Sequence, residues 1–258
     1  MERVSGFYGQ NIEKDTSFEA NLHSPQLDFV IPSFNYPVDA QVDQIGSLFS
    51  SYQQNVIIIN DGSSYPIMDT PNPETILVTH IQNLGLARSL VDGYKKSLET
   101  SADLIIRTDA DGEYPISSVS EAIRLLKEPS NIGVFVEHRR SISSSGLVDS
   151  CFHDAMGYIE GSLLIGQPMK QHSPGLQVYK REVIEKLIPA LEKYVLKNNI
   201  RWGLDLITIK LANQMGKVVA VTLNSHIWQE RRPIKKIASQ LVGATKTILD
   251  NKKGKIKL

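Results

Sequence analysis

Cysteine occurs once in this chain, at Cys151, which excludes an internal disulfide and a cysteine-built zinc site and fits a reducing compartment. Cys151 falls in an expected helix where His153, two residues on, projects from a different face, so it is read as structural rather than nucleophilic. No apolar run approaches the roughly 20 residues that cross a bilayer. The polar start Met1-Glu2-Arg3-Val4-Ser5-Gly6 also carries no signal-peptide core. A cytoplasmic protein is expected, peripheral to a membrane at most. Charge of one sign is missing as well: 28 Lys and Arg balance 28 Asp and Glu, so no overall field draws in nucleic acid, which is not expected as a partner. The chain has no internal repeat and no low-complexity block.

What remains is an ordinary globular composition, 41% hydrophobic over 258 residues, enough for one large domain or two closely fused halves. Short apolar runs alternate with helical patterns. Strands are expected over 27–31, 56–59, 76–79, 104–108, 132–136 and 218–223, and helices over 38–49, 84–98, 117–126, 147–164, 181–191 and 204–214. Runs rich in Val and Ile with helices between them argue for a doubly wound α/β fold, a mostly parallel sheet covered on both faces.

One stretch stands out, Leu104-Ile105-Ile106-Arg107-Thr108-Asp109-Ala110-Asp111-Gly112-Glu113, in which an apolar run leads into carboxylates one residue apart. Asp109 and Asp111 are hard oxygen donors with no Cys/His cluster around them, which favours magnesium or manganese over zinc. A phosphate ligand bridged by the metal is then implied. The same residues also read as a tight turn with solvated acids.

Ligands of doubly wound sheets gather beyond the carboxyl ends of the strands. Four successive ends here carry small or polar groups: Pro32-Ser33-Phe34-Asn35, Asn60-Asp61-Gly62-Ser63-Ser64, His80 to Asn83 with Gly85, and the Asp109 cluster. Neighbouring parallel strands would bring them into one cleft. Asp61 suits a base or ribose as hydrogen-bond acceptor, and Gly62 permits a sharp turn. Asn83 is expected to cap the next helix, whose Leu84, Ala87, Leu90, Val91, Tyr94 and Leu98 form a buried stripe. Arg88, in the second turn, is placed to meet phosphate charge or to lie in solvent.

The pieces Val30-Ile31-Pro32-Ser33-Phe34-Asn35, Ile59-Asn60-Asp61-Gly62-Ser63-Ser64, Asn83-Leu84-Gly85-Leu86 with Gly93, and Asp109-Ala110-Asp111, in this order and spacing, resemble inverting nucleotide-sugar glycosyltransferases of family 2 type. These have the GT-A fold and include the dolichol-phosphate mannose synthases. The resemblance runs over about residues 27–232. It implies that Pro32, Ser33 and Asn35 line the nucleotide pocket of a UDP- or GDP-hexose, that Asp61 contacts the base, and that Asn83 and Gly85 shape the cleft behind the diphosphate. Asp109, with Ala110 beside it, would lie near ribose and metal, and Asp111 would bind Mn2+ or Mg2+ directly. Glu113 stands where the mannose synthases commonly have Gln and would add a third oxygen ligand. The divalent cation would offset charge on the departing nucleoside diphosphate.

The second half would serve the acceptor, whose identity the sequence leaves open. The segment Gly166 to Glu182 matches the family in part, with Gln171 in place of an acid and Pro174 and Leu176 in place of Ser and Phe. Arg139 fits a family arginine after the fifth strand, while a second one is missing near Asp149 and Ser150. Asp205, in Arg201-Trp202-Gly203-Leu204-Asp205-Leu206, sits where related enzymes keep an acid near the acceptor and is the expected general base, which a hydroxyl acceptor needs and a phosphate does not. Its other reading is a charge in the first turn of a helix. Trp202 would stack on a sugar or pack in the core. His226 follows the last strand, where several GT-A enzymes close the metal site with histidine, and is otherwise an ordinary loop histidine; Arg231 and Arg232 resemble basic residues of a loop near the diphosphate, with surface charge as their other reading.

This divides the chain into an N-terminal extension (1–26), a GT-A domain (27–232, donor half 27–115, acceptor half 116–232) and a basic amphipathic tail (233–258). The tail fits either peripheral contact with an anionic membrane or packing on the domain or on a second copy in a homo-oligomer. The expected activity is metal-dependent transfer of a hexose, with inversion; a polyprenyl-phosphate acceptor at the membrane surface is the alternative. The Asp109 to Glu113 run also resembles the first motif of haloacid-dehalogenase-type phosphatases, which normally stands near the chain start with Thr or Val after the Gly. A nucleotide-sugar-binding protein without turnover is the remaining reading.

Overall fold

The computed structural model describes residues 3–5, 24–67, 75–140, 147–166, 168–170, 174–227, 245, 248–250 and 252–254. Its centre is an eight-stranded sheet: β1 (Arg3–Ser5), β2 (Leu27–Ser33), β3 (Gln54–Asn60), β4 (Thr75–Thr79), β5 (Leu104–Arg107), β6 (Asn131–Arg140), β7 (Leu176–Lys180) and β8 (Lys217–Ile227). The order across the sheet is β1-β8-β6-β7-β5-β2-β3-β4. All pairings are parallel except those of β7, which runs antiparallel between β5 and β6. Helices α1 (Asp39–Leu48), α2 (Leu86–Ser97), α3 (Ser118–Leu126), α4 (Leu147–Glu160, continued by a wider turn over Gly161–Ile165), α5 (Arg181–Asn198) and α6 (Leu204–Met215) complete the chain.

Strict alternation of side chains along central strands splits the apolar residues between two layers. On one face Val30, Ile57, Ile59 and Ile105 meet α2, α5 and α6. On the other, Phe29, Ile31, Ile58 and Ile106 meet Val42 and Ile45 of α1 and Val119 and Ile123 of α3. Both faces are covered, which is why these strands read as continuous hydrophobic runs. The close approach of α2 depends on Gly93: a β-carbon there would stand 2.4 Å from Val30 Cγ1.

The expected doubly wound fold is thus observed, with two additions. Strand β7 was not expected, because Leu176-Gln177-Val178-Tyr179-Lys180 is short, carries two polar residues and adjoins a helix without a break. Three residues of the expected N-terminal extension add an edge strand on β8. From the tail, Ile248 packs against the α5 side of the core and Asp250 accepts a hydrogen bond from Tyr194 Oη at 3.1 Å, so this part of it lies on the domain. Among the described residues no helix is long and apolar enough to cross a membrane. Cys151 is exposed, which corrects its expected structural role: no core packing depends on it.

Candidate active site

Strands β5, β2, β3 and β4 are adjacent and parallel, so their carboxyl ends open on one edge. The loops there are tied to one another. Ser33 Oγ donates to the Tyr36 carbonyl at 2.6 Å, and Asn35, at φ 52°, accepts from Ser64 N at 2.8 Å through Oδ1 while its own N–H donates to Ser63 Oγ at 2.9 Å. The Tyr65 hydroxyl donates to the Asn35 carbonyl. Pro32 and Ser33 are buried beneath these contacts. Asn35 therefore clips the loop after β2 to the loop after β3, and Phe34, Tyr36 and Tyr65 are left exposed around it.

Asp61 turns out to be an anchor. Only 3% exposed, it accepts Leu84 N at Oδ1 and Gly85 N at Oδ2, each at 2.8 Å, with His80 Nδ1 also 2.8 Å from Oδ1. His80 Nε2 lies 3.2 Å from Asp92, which pairs with Arg88 Nε at 2.6 Å. The expected base-contacting carboxylate thus has both oxygens committed to the chain that starts α2. Arg88 is in the first turn of α2, not the second, and its charge is answered by Asp92 one turn on. Asn83 does not cap α2: Gly85 holds the cap position with φ 97°, and the Asn83 side chain instead accepts from Arg201 Nη2. The chain between Leu84 and Gly85 is satisfied by Asp61, so a side-chain cap two residues earlier has nothing to bond.

The end of β5 holds the densest charge. Asp109 Oδ1 lies 2.7 Å from Arg107 Nη2, and the same nitrogen is 3.2 Å from Oδ1 of Asp205 in the first turn of α6. Arg107 Nη1 donates to the Pro174 carbonyl at 2.9 Å. Gln41 of α1 supports the same turn by donating through Nε2 to the Asp109 carbonyl at 2.9 Å. Arg107 and Asp205 are 1% and 3% exposed, while the Asp109 carboxylate keeps 27% exposure toward the cleft. Asp109 is pushed up to about 7: burial raises it most, the Arg107 guanidinium opposes this, and the carboxylates of Asp111, Asp205 and Glu113 add to the rise. Burial acts most strongly on Arg107 and would lower it, yet Asp109 and Asp205 outweigh burial and hold the guanidinium firmly charged. Among the described residues, Asp109 and Asp205 flank Arg107, and Asp111 and Glu113 add negative charge beside Asp109.

The carboxylates of Asp109 and Asp111 are hard oxygen donors of the kind a divalent cation takes. Asp111 is exposed at the cleft, with Glu113 N donating to its Oδ1 at 3.1 Å and Tyr36 Oη 3.4 Å from its carbonyl. Glu113 is only 6% exposed, and Ala110 packs into the α1 side of the core. Among the described residues no three His, Cys, Asp or Glu side chains converge on a point that a metal ion would occupy. Glu113, the expected third ligand, is buried beside this turn. Arg107 takes Oδ1 of Asp109, and Gly175 lies close against its Oδ2.

Trp202 is 47% exposed beside the Asn83–Gly85 turn, where the Arg201 carbonyl accepts from Ala87 N at 3.0 Å, so it is a surface and not a core residue. Arg139 lies in β6 and His226 in β8, but their side chains fall outside the described residues, as do Arg231 and Arg232 entirely. Sequence reasoning passed over Arg107, although a lone cation in an apolar strand two positions before Asp109 must share its face. Gln41, Gln177 and Gly175 gave no comparable signal.

Comparison with known proteins fits this geometry. Among curated sequences, the chain is 24% identical over 189 residues to an uncharacterised protein of Methanocaldococcus jannaschii, covering 70% of this chain and 75% of that one. It is 22% identical over 179 residues to the UDP-N-acetylglucosamine–dolichyl-phosphate N-acetylglucosaminyltransferase of Methanococcus voltae, covering 61% and 70%. Among solved structures, glucosyl-3-phosphoglycerate synthase of Mycobacterium tuberculosis, in complex with Mn2+ and UDP-glucose, superposes with a TM-score of 0.59 at 15% identity, covering 96% of this chain and 86% of that one. Mannosyl-3-phosphoglycerate synthase of Rubrobacter xylanophilus does so with a TM-score of 0.57 at 15% identity, covering 88% and 75%. The glycosyl transferase family 2 model matches residues 28–188, from the first residues of β2 into α5, and with more than half of the chain so matched the protein belongs to glycosyl transferase family 2.

Proposed function

We propose that this protein is a manganese-dependent hexosyltransferase that takes its sugar from a UDP-hexose and passes it, with inversion, to an acceptor approaching from the side of Trp202 and Arg139. The observation that carries the reading is the convergence of four parallel strand ends on one edge, with Asp109 and Asp111 at the last of them. Asp111 and Asp109 would hold the metal, which when bound stabilises charge on the leaving diphosphate. The protein's own share is placement: Asn35 and Asp61 fix the loops against which the nucleotide lies, and Gln41 and Arg107 fix the Asp109 turn. UDP and Mn2+ are supported by the solved glucosyl-3-phosphoglycerate synthase complex and UDP by the Methanococcus voltae transferase.

The test is calorimetric titration with UDP, GDP and their hexose conjugates, with and without Mn2+, followed by an assay of UDP release. Binding of UDP that requires Mn2+ is expected; binding of GDP alone, or of neither, overturns the donor assignment.

A further inference from the structure

We infer that Asp205 is a positioning residue for the donor site, acting through the Arg107 guanidinium on Asp109, and is not the base that takes a proton from the acceptor. The inference rests on the proposed transferase reading and revises the role that the sequence suggested for Asp205.

A general base must come within about 2.6–3.2 Å of the proton it removes. Asp205 is 3% exposed, and its Oδ1 lies 3.2 Å from Arg107 Nη2. Its own backbone is held as well, the carbonyl standing 3.4 Å from Gln177 Nε2. Gln177 is fully buried and its amide also donates to the Pro174 carbonyl at 2.9 Å, while Tyr179 Oη donates to its Oε1 at 3.0 Å. Asp205 is thus built into the floor beneath the cleft by β5, β7 and the turn before β7.

That floor has one clear connection upward. Arg107 Nη2 is shared between Asp205 and Asp109, and Nη1 is fixed by Pro174, so the guanidinium has no freedom to favour one acid. With Asp205 charged, the single cation is divided between two carboxylates and Asp109 retains negative charge to present to a divalent ion. Without Asp205 the buried guanidinium loses the charge on its far side and shifts against Asp109, so that the Asp109 carboxylate is no longer held in its place. The Asp205 carboxylate acts on Arg107 as a charge 3.2 Å away, while the guanidinium's hydrogen bonds go to Pro174 and Asp109, so a buried cation that loses Asp205 loses part of the charge that holds it in place. Loss of Asp205 should therefore appear first in metal-dependent nucleotide binding, as for other residues that orient a metal ligand from behind.

The experiment measures the Kd for UDP in saturating Mn2+ by calorimetry for wild type, Asp205→Asn, Arg107→Met and the double variant, with melting curves to confirm folding and pH–rate profiles for the active ones. Asp205→Asn is expected to weaken Mn2+-dependent UDP binding about tenfold or more, Arg107→Met to do likewise, and the double variant to bind no worse than the weaker single one. The rate profile of Asp205→Asn is expected to keep its shape. Wild-type affinity in Asp205→Asn, with turnover lowered by orders of magnitude and the rising limb of the profile lost, would make Asp205 the base and overturn the inference. If Asp205→Asn does not fold, the double variant, in which neither member of the pair is left facing a lost partner, carries the binding measurement, and wild-type affinity there overturns it equally. Wild-type protein that binds no UDP in Mn2+ defeats the donor reading instead, a result separate from all of these.

Discussion

Gly175 lies against the carboxylate of Asp109: a β-carbon at Gly175 would stand 2.1 Å from Asp109 Oδ2 and 2.5 Å from Tyr114 Cε2. The segment leading into β7 is thereby packed directly against the Asp109 carboxylate. Gly175→Ala is expected to push Asp109 out of place, lowering Mn2+-dependent UDP affinity at least tenfold and stability by about 1–3 kcal/mol. Calorimetry and urea unfolding measure the two effects, and unchanged UDP binding would show that Asp109 does not need its present position.

Asp111 offers the opposite case, a carboxylate at the surface with little packing to lose. Asp111→Ala is expected to abolish the Mn2+ dependence of UDP binding while changing stability by no more than about 0.5 kcal/mol, as for most exposed substitutions. Retained metal dependence in a folded variant would contradict the assignment of the ion to this turn.

Asp61 anchors two backbone N–H groups that Leu84 and Gly85 present at the start of α2. Asp61→Ala leaves both without their acceptor, and a loss of about 2–5 kcal/mol is expected from the unsatisfied groups together. Weaker UDP binding should accompany it, because the loop after β3 and the start of α2 then part. A denaturation midpoint close to wild type would mean that water replaces the carboxylate without cost.

Gly93 lets α2 approach Val30, which pairs in register with Arg107 on the neighbouring strand. Gly93→Val is expected to cost about 1–3 kcal/mol by overpacking α2 against the sheet. The UDP Kd of the folded fraction is expected to rise as well, because neighbours that share a contact do not act independently, and an unchanged Kd would show that the sheet absorbs the shift before it reaches Arg107. A large affinity change would reveal that α2 transmits strain to the cleft.

Much of this protein is written locally. The alternation of Val- and Ile-rich runs with amphipathic stretches determined the doubly wound fold, because both periods are properties of short segments. The polar residues after β2, β3, β4 and β5, and the Asp109 and Asp111 pair, follow directly from where those runs stop. The tertiary structure decided which neighbours these residues acquire. Strand β7 enters antiparallel between β5 and β6, and with it come Pro174 and Gly175 at the Asp109 turn. Asp205 reaches Arg107 only because α6 packs back on the sheet beside α2 and α5. Asp61 became an anchor, and Glu113 turned inward, for the same reason: a carboxylate's role depends on which donors and how much burial surround it, and those are contributed by segments distant in the chain. Periodicity says which face a side chain takes; only packing says what waits on the other side.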